Sequence, residues 1–343
     1  MIAPAGSPLA IVRDPSSARH LDPPAWDRLL PQLRRLHLHA RVATDLIRSG
    51  IDASLPPPVR EHMRAGQRVA AAQERSIRWE VDRIAAALDG VGSDLLLLKG
   101  AAYLLAGLPN ARGRLTADVD IMVERARLPE VESALRAHGW QAVHRDEYDQ
   151  GYYRRWMHEL PPLRHAERDT VVDVHHTIFA RVGRYASDPA KLLRRAVVIE
   201  GDPRWKRLCD EDLFLHAATH LFGEAMRNPL RDLLDLADLL ALMPAGLAAR
   251  AAELGLTRPL FYAVHFLDKI LGIGAPKDCR SLPRPGALAF RLMDRLGTEA
   301  FLSPAPRRLG LAARAHWLRM PPHLLARHLA RKAWKRVRSR REA

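Results

Sequence analysis

Apolar residues in the first ninety positions recur at three- and four-residue steps. Trp26, Leu29, Leu30, Leu33, Leu36 and Val42 predict one amphipathic helix over Pro24–Gly50, ended by Pro56-Pro57-Pro58. Val69, Ile77, Val81, Ile84 and Ala85 predict a second helix over Val59–Leu88, closed by Gly90-Val91-Gly92. Residues 1–24, proline-rich and without a period, read as a loose lead-in.

The pattern then alternates. Leu95–Leu98 is a short apolar run, which predicts a strand buried on both faces. A two-turn helix follows from Gly100 through Leu105, then a strand at Asp118–Val123, a helix at Leu128–Ala137 and a strand at Trp140–Val143. Tyr152–Met157 reads as an edge strand and the β-branched Thr170–Thr177 as a strong one. After Gly201 only helices are predicted, at Glu211–Gly223, Pro229–Met243, Leu247–Leu254, Arg258–Leu271 and Gly286–Leu296. Pro304 and Pro306 mark a boundary. Beyond Pro321-Pro322, the residues Leu325, Leu329, Ala333, Trp334 and Val337 fall on one side of a helix. The expected class is α+β: a helical region over 1–90, a small mixed-sheet core with flanking helices over 91–200, an all-helical region over 201–303 and a basic amphipathic tail over 304–343.

Composition narrows the function. With 48% apolar and 27% charged residues, the 343-residue chain is globular and long enough for two or three cores. Its formal charge of +15 is concentrated: Arg307–Ala343 holds 12 Lys or Arg against Glu342, a net of +11, which leaves +4 for the rest. Such a tail suits an anionic membrane surface, RNA or an acidic protein partner, or is a solvated charged end. The near-balanced body lacks the basic–aromatic interleaving of an RNA-binding protein. No apolar run approaches the roughly 20 residues of a membrane span, and Met1–Asp14 has no signal-peptide pattern. Cys209 and Cys279 stand far apart, so a disulfide scaffold or structural zinc site is not expected. A reducing cytoplasm is the expected location, with the tail allowing peripheral attachment to a membrane.

The candidate chemistry centres on Asp118 and Asp120, which share a strand face and repel unless a cation lies between them. A hard divalent ion, commonly held by one or two carboxylates plus substrate phosphates, is the usual solution. Asp173, alone among valines, needs a partner because an unpaired buried carboxylate costs several kcal/mol. Lys99-Gly100 closes a strand and opens a helix, a setting that favours an anion, and Arg114 lies four residues before Asp118. His175 shares a face with Asp173 and either orients an acceptor or is structural. His216, His220 and Glu224 lie at helical spacing, yet Ala217 stands where a zinc-protease helix needs Glu, so buried or capping histidines fit better. His220, Arg231 and Asp235 either line the acceptor side of a cleft or form a core helix pair with an internal ion pair.

Leu98-Lys99-Gly100-Ala101, Arg114 ahead of Asp118-Val119-Asp120, Asp173-Val174-His175, and a helical part with Arg231-Asp232 and Asp235 resemble the uncharacterised nucleotidyltransferase group of the DNA polymerase β-type superfamily. The resemblance covers roughly residues 60–275. It implies a small mixed sheet, two Mg²⁺ ions (or Mn²⁺) held by Asp118, Asp120 and Asp173, and transfer of a nucleoside monophosphate from an NTP such as ATP to an acceptor hydroxyl. Lys99, Gly100 and Arg114 would then hold the phosphates. The superfamily's turn is usually Gly followed by Gly or Ser, whereas Ala101 follows Gly100 here, and the Gly100–Asp118 interval is longer than usual. An alternative keeps the fold without the chemistry: a catalytically inactive binding or scaffold protein recruited through its basic tail.

Overall fold

The computed structural model describes residues 6–92, 94–143, 146–185, 187–242, 246–303 and 309–339. The N-terminal region differs from expectation in two places. Residues 6–24 are not loose. Ser7 caps α1 (Pro8–Arg13), Asp14 caps a 3₁₀ turn at Pro15–His20, and Leu9, Ile11 and Ala18 join the core. The prolines that read as breakers sit at first helical positions, where a missing N–H costs nothing. The single helix expected over Pro24–Gly50 is two, α2 (Pro23–Arg35) and α3 (His39–Arg48), because His37 turns left-handed at φ +56° between them. The turn lets Leu33 and Leu38 both be fully buried. The second expected helix is present as α4 (Pro57–Ala87), with Pro57 and Pro58 in its first turn.

Among the described residues, seven strands form one mixed sheet. They are β1 (Leu96–Leu98), β2 (Asp118–Met122), β3 (Trp140–Ala142), β4 (Leu163–His165), β5 (Val171–His175), β6 (Val197–Ile199) and β7 (Asp202–Arg207), in the order β3-β4-β5-β2-β1-β7-β6. Between them lie α5 (Lys99–Leu105), α6 (Leu128–Ala137), α7 (Glu147–Trp156) and α8 (Pro189–Arg194). Tyr152–Met157 is therefore not an edge strand. Tyr148, Tyr152 and Trp156 recur every four residues, a helical period, and Tyr152 packs edge-on to Trp156 at 5.9 Å. Helices alone after Gly201 is also corrected, since β7 pairs parallel with β1 and closes a hairpin on β6 around Gly201. β6 is only three residues long, with Val197 and Val198 exposed, and β7 is charged apart from Pro203 and buried Trp205, which hid them.

The sheet has two buried faces. Leu97, Val119, Ile121, Val172 and Val174 pack with Ile77, Val81 and Ile84 of α4 and with Val131 and Leu135 of α6. Leu96, Leu98 and Met122 belong to the other core, shared with α9 (Asp210–Gly223), α10 (Pro229–Leu240), α11 (Leu247–Glu253) and α12 (Thr257–Phe266). A π turn at Leu267–Leu271, α13 (Ala287–Leu302), α14 (Leu309–Arg319) and α15 (Pro322–Ser339) complete the order. Met243, Pro304 and Pro306, at expected boundaries, lie outside the described residues, as do the side chains of Ala333 and Val337. The tail is helical as expected, but its inward side is centred on His328, stacked on Tyr152 at 4.5 Å, while Leu329 and Trp334 are exposed. No described helix is long and apolar enough to cross a membrane.

Candidate active site

Strands β2 and β5 run parallel and in register, so Asp120 lies opposite Asp173 and Met122 opposite His175. Strand alternation then puts Asp118, Asp120, Asp173 and His175 on one face, the face covered by the helical layer. Asp120 is buried, and its Oδ1 accepts from Lys99 Nζ at 2.7 Å and from His175 Nε2 at 2.9 Å. Burial alone would raise its pKa, but Lys99 and His175 hold the carboxyl well below the usual range. Asp173 is in the opposite situation. Burial and the charges of Asp120 and Glu159 push its pKa up to about 7, and its buried Oδ1 has no hydrogen-bond partner among the described residues. Asp118 stands exposed at the open end of β2.

The Lys-Gly turn is built by constraint. Lys99 adopts a left-handed φ of +46°, which costs a non-glycine residue on the order of 1 kcal/mol and sets its ammonium on Asp120. Burial would discharge Lys99, but Asp120 outweighs it and keeps the ammonium protonated. At Gly100 a Cβ would come within 2.5 Å of Thr116 Oγ1, so glycine lets the turn close against the loop before β2. Ala101 packs into the α4-side core, so its methyl is directed away from the carboxylates. A hydroxyl at that position would meet apolar packing.

A cleft of ≈ 510 Å³ opens beside the carboxylates, lined by Lys99, Asp118 and Asp120 on one side and His220, Glu224 and Arg231 on the other. A smaller cavity of ≈ 210 Å³, walled by Ala70, Ala71, Ile77 and Leu104, shares Gly100, Arg114 and Thr116 with it. Arg114 reaches both spaces, yet its guanidinium is bonded to Asp235 and lies 5.5 Å from the Tyr103 ring centre. Burial pushes Asp235 up to about 6 against the pull of Arg114. Asp235 is thus a partner of Arg114 and does not line the cleft. Arg231 does line it, with its guanidinium on Asp232 at 2.7 Å. His220 Nδ1 is 3.7 Å from Glu224, which Arg319 holds at 2.6 Å, and His216 is buried with its pKa driven well down.

Sequence reasoning passed over His158 and Glu159. An isolated antiparallel bridge pairs Glu159 with His175, and Glu159 Oε2 lies 3.6 Å from both His158 Nε2 and His175 Nε2. Burial and the neighbouring His175 and Lys99 keep His158 uncharged. The available signal was a His-Glu pair directly ahead of Leu160-Pro161-Pro162, which leads into β4 at Leu163.

The sequence model of a family described as uncharacterised nucleotidyltransferase matches residues 22–272. The chain belongs to this family. No curated protein matches it. The match runs from the approach to α2 through the π turn after α12, so it takes in the whole sheet, the carboxylates and the cleft, and stops short of α13–α15. The α+β architecture, with a mixed sheet and a helical C-terminal region, agrees with a nucleotidyltransferase core. Nucleotidyltransferase folds usually use divalent metals. The donors present fit such an ion: three carboxyl groups share one face, and a buried oxygen of Asp173 lacks any partner.

Proposed function

We propose that the chain is a divalent-metal-dependent nucleotidyltransferase that moves a nucleoside monophosphate from an NTP to a hydroxyl of a small-molecule or protein acceptor. The observation that carries this reading is the in-register pair Asp120–Asp173 beside Asp118, in which Asp173 keeps an unpartnered buried oxygen. Two divalent ions, Mg²⁺ or Mn²⁺, held by Asp118, Asp120 and Asp173 would supply charge neutralisation and a more acidic acceptor hydroxyl.

The chain's own residues bind and orient. Lys99 stands between Asp120 and the cleft, where its ammonium can donate to a phosphate oxygen once Asp120 has another cationic partner. Gly100 lets the turn close against Thr116, which keeps Lys99 at the wall of the cleft. His175 holds Asp120 in place from within the protein, while His220 and Arg231, which also line the cleft, would meet the acceptor. The mutual pairing of Arg114 and Asp235 ties the loop before β2 to α10. Positioning and electrostatic stabilisation would provide most of the rate.

The test is transfer from each of four labelled NTPs, ATP first, to acceptors in a cell lysate, with Asp118→Ala and Asp120→Ala as controls. Transfer that persists in both variants sinks the reading. A second reading, an inactive nucleotidyltransferase-fold scaffold, draws on one observation: Lys99 and His175 already saturate Asp120 Oδ1. Thermal stabilisation that requires both an NTP and Mg²⁺ favours the enzyme, and no stabilisation by any NTP favours the scaffold.

A further inference from the structure

We infer that His158, Glu159 and His175 form a second cation site, distinct in ligand chemistry from the aspartate group, that takes a first-row transition-metal dication of the Zn²⁺ class. The inference does not depend on nucleotidyl transfer.

The geometry of these three side chains carries it. One ligand atom from each, a ring nitrogen of either histidine and a Glu159 oxygen, lies within 4.8 Å of the others. The two nitrogen–oxygen separations are 3.6 Å each. Ligand atoms bound to zinc at about 2.0–2.1 Å in a tetrahedron sit about 3.4 Å apart, so the two nitrogen–oxygen separations are already close to those around a bound ion and the two histidines have to draw together. The backbone fixes the group from two directions. Glu159 and His175 are bridge partners, His176 N–H donates to His158 C=O at 2.9 Å, and Leu160 N–H donates to Val174 C=O at 2.8 Å. Asp120 Oδ1, hydrogen-bonded to His175 Nε2 at 2.9 Å, borders the group on its aspartate side.

Charge and ligand type choose the ion. Asp120, Asp173 and Glu159 all lie beside His175 or its neighbours in the sheet, and the Lys99 ammonium is bonded to Asp120. Imidazole nitrogens favour zinc-like ions, whereas Mg²⁺ prefers oxygen ligands, so the pair of histidines separates this group from the aspartates. Among the described residues, neither His158 Nδ1 nor His175 Nδ1 has a hydrogen-bond partner. When Nε2 of a neutral imidazole takes the ion, its proton can settle on Nδ1; at His158 no hydrogen bond is given up, whereas at His175 the ion replaces the bond from Nε2 to Asp120 Oδ1.

The experiment uses the full chain, stripped with EDTA and titrated with CoCl₂, whose visible absorption reports nitrogen ligation, followed by ZnCl₂ displacement. Wild type is expected to bind Co²⁺ with a visible band that Zn²⁺ removes and excess MgCl₂ leaves. His158→Gln and Glu159→Gln, each shown folded by circular dichroism, are expected to weaken binding by more than about tenfold. Asp118→Asn is expected to keep the band. No band in wild type, an unchanged band in both His158→Gln and Glu159→Gln, displacement by MgCl₂, or loss of the band in Asp118→Asn each overturns the inference. Nucleotidyl transfer is a separate readout. A protein that binds Co²⁺ as described but transfers no nucleotide sinks the proposed function and leaves this site standing.

Discussion

Asp120 and Asp173 lie opposite each other on adjacent parallel strands, yet Asp120 is bonded to Lys99 and His175 while Asp173 keeps a buried oxygen with no partner. Without a metal, an ionised Asp173 is repelled by Asp120 and Glu159. Asp173→Asn removes that repulsion and keeps the shape. The expected outcome in EDTA is a melting temperature equal to or above wild type, together with loss of stabilisation by Mg²⁺ and NTP. Transfer should fall on the order of 100-fold or more. Differential scanning fluorimetry with and without metal checks the first part, and a clear drop in the EDTA melting temperature would refute it.

Lys99→Met leaves Asp120 buried with His175 alone. Removing one member of a buried ion pair exposes the desolvation cost of the other, here about 2–4 kcal/mol since Lys99 is partly exposed. Addition of Mg²⁺ should recover much of the loss, because a divalent ion at the carboxylates replaces the ammonium. Urea titrations in EDTA and in Mg²⁺ measure both values. Equal stability of variant and wild type in EDTA would show that Lys99 is not what neutralises Asp120.

Much of this site was legible because period-two spacing and register are local or near-local facts. Asp118 and Asp120 had to share a face, and Asp173 among valines had to find company across the sheet. What stayed hidden depends on distant parts of the chain. Nothing beside Arg114 in sequence announces Asp235, more than a hundred residues later on α10, so Arg114 read as a phosphate ligand. Glu159 gains meaning only from its bridge to His175. Strand β7 was missed because the charged Asp202, Arg204, Lys206 and Arg207 surround its one buried side chain, β6 because it is three residues long with one buried side chain, and α7 because its aromatic residues suit a strand as well as a helix.

The Arg114–Asp235 pair separates anchoring from substrate binding. Arg114→Met strands the carboxylate of Asp235 and should cost about 3–5 kcal/mol. The double variant Arg114→Met, Asp235→Leu should recover part of that, with a coupling energy of about 1.5–3 kcal/mol in a double-mutant cycle. At a temperature where the single variant is folded, KM for the NTP should stay near wild type. A rise of about tenfold or more would return Arg114 to the phosphates.

His176 sets a pH dependence of known sign. Burial, with Arg125 and Arg181 nearby, lowers its pKa from the ordinary 6.5 to about 4 in the folded protein. Between those values the unfolded chain binds a proton that the folded chain does not, so stability present above pH 6.5 is lost as pH falls toward 4. One such group contributes at most about 1.4 kcal/mol per pH unit in that window. His176→Gln, which cannot take up the proton, should therefore lose less stability than wild type on acidification from 6.5 to 4. Chemical denaturation at intervals across that range gives both slopes. Parallel curves for the two proteins would mean that His176 stays exposed to protonation in the folded state.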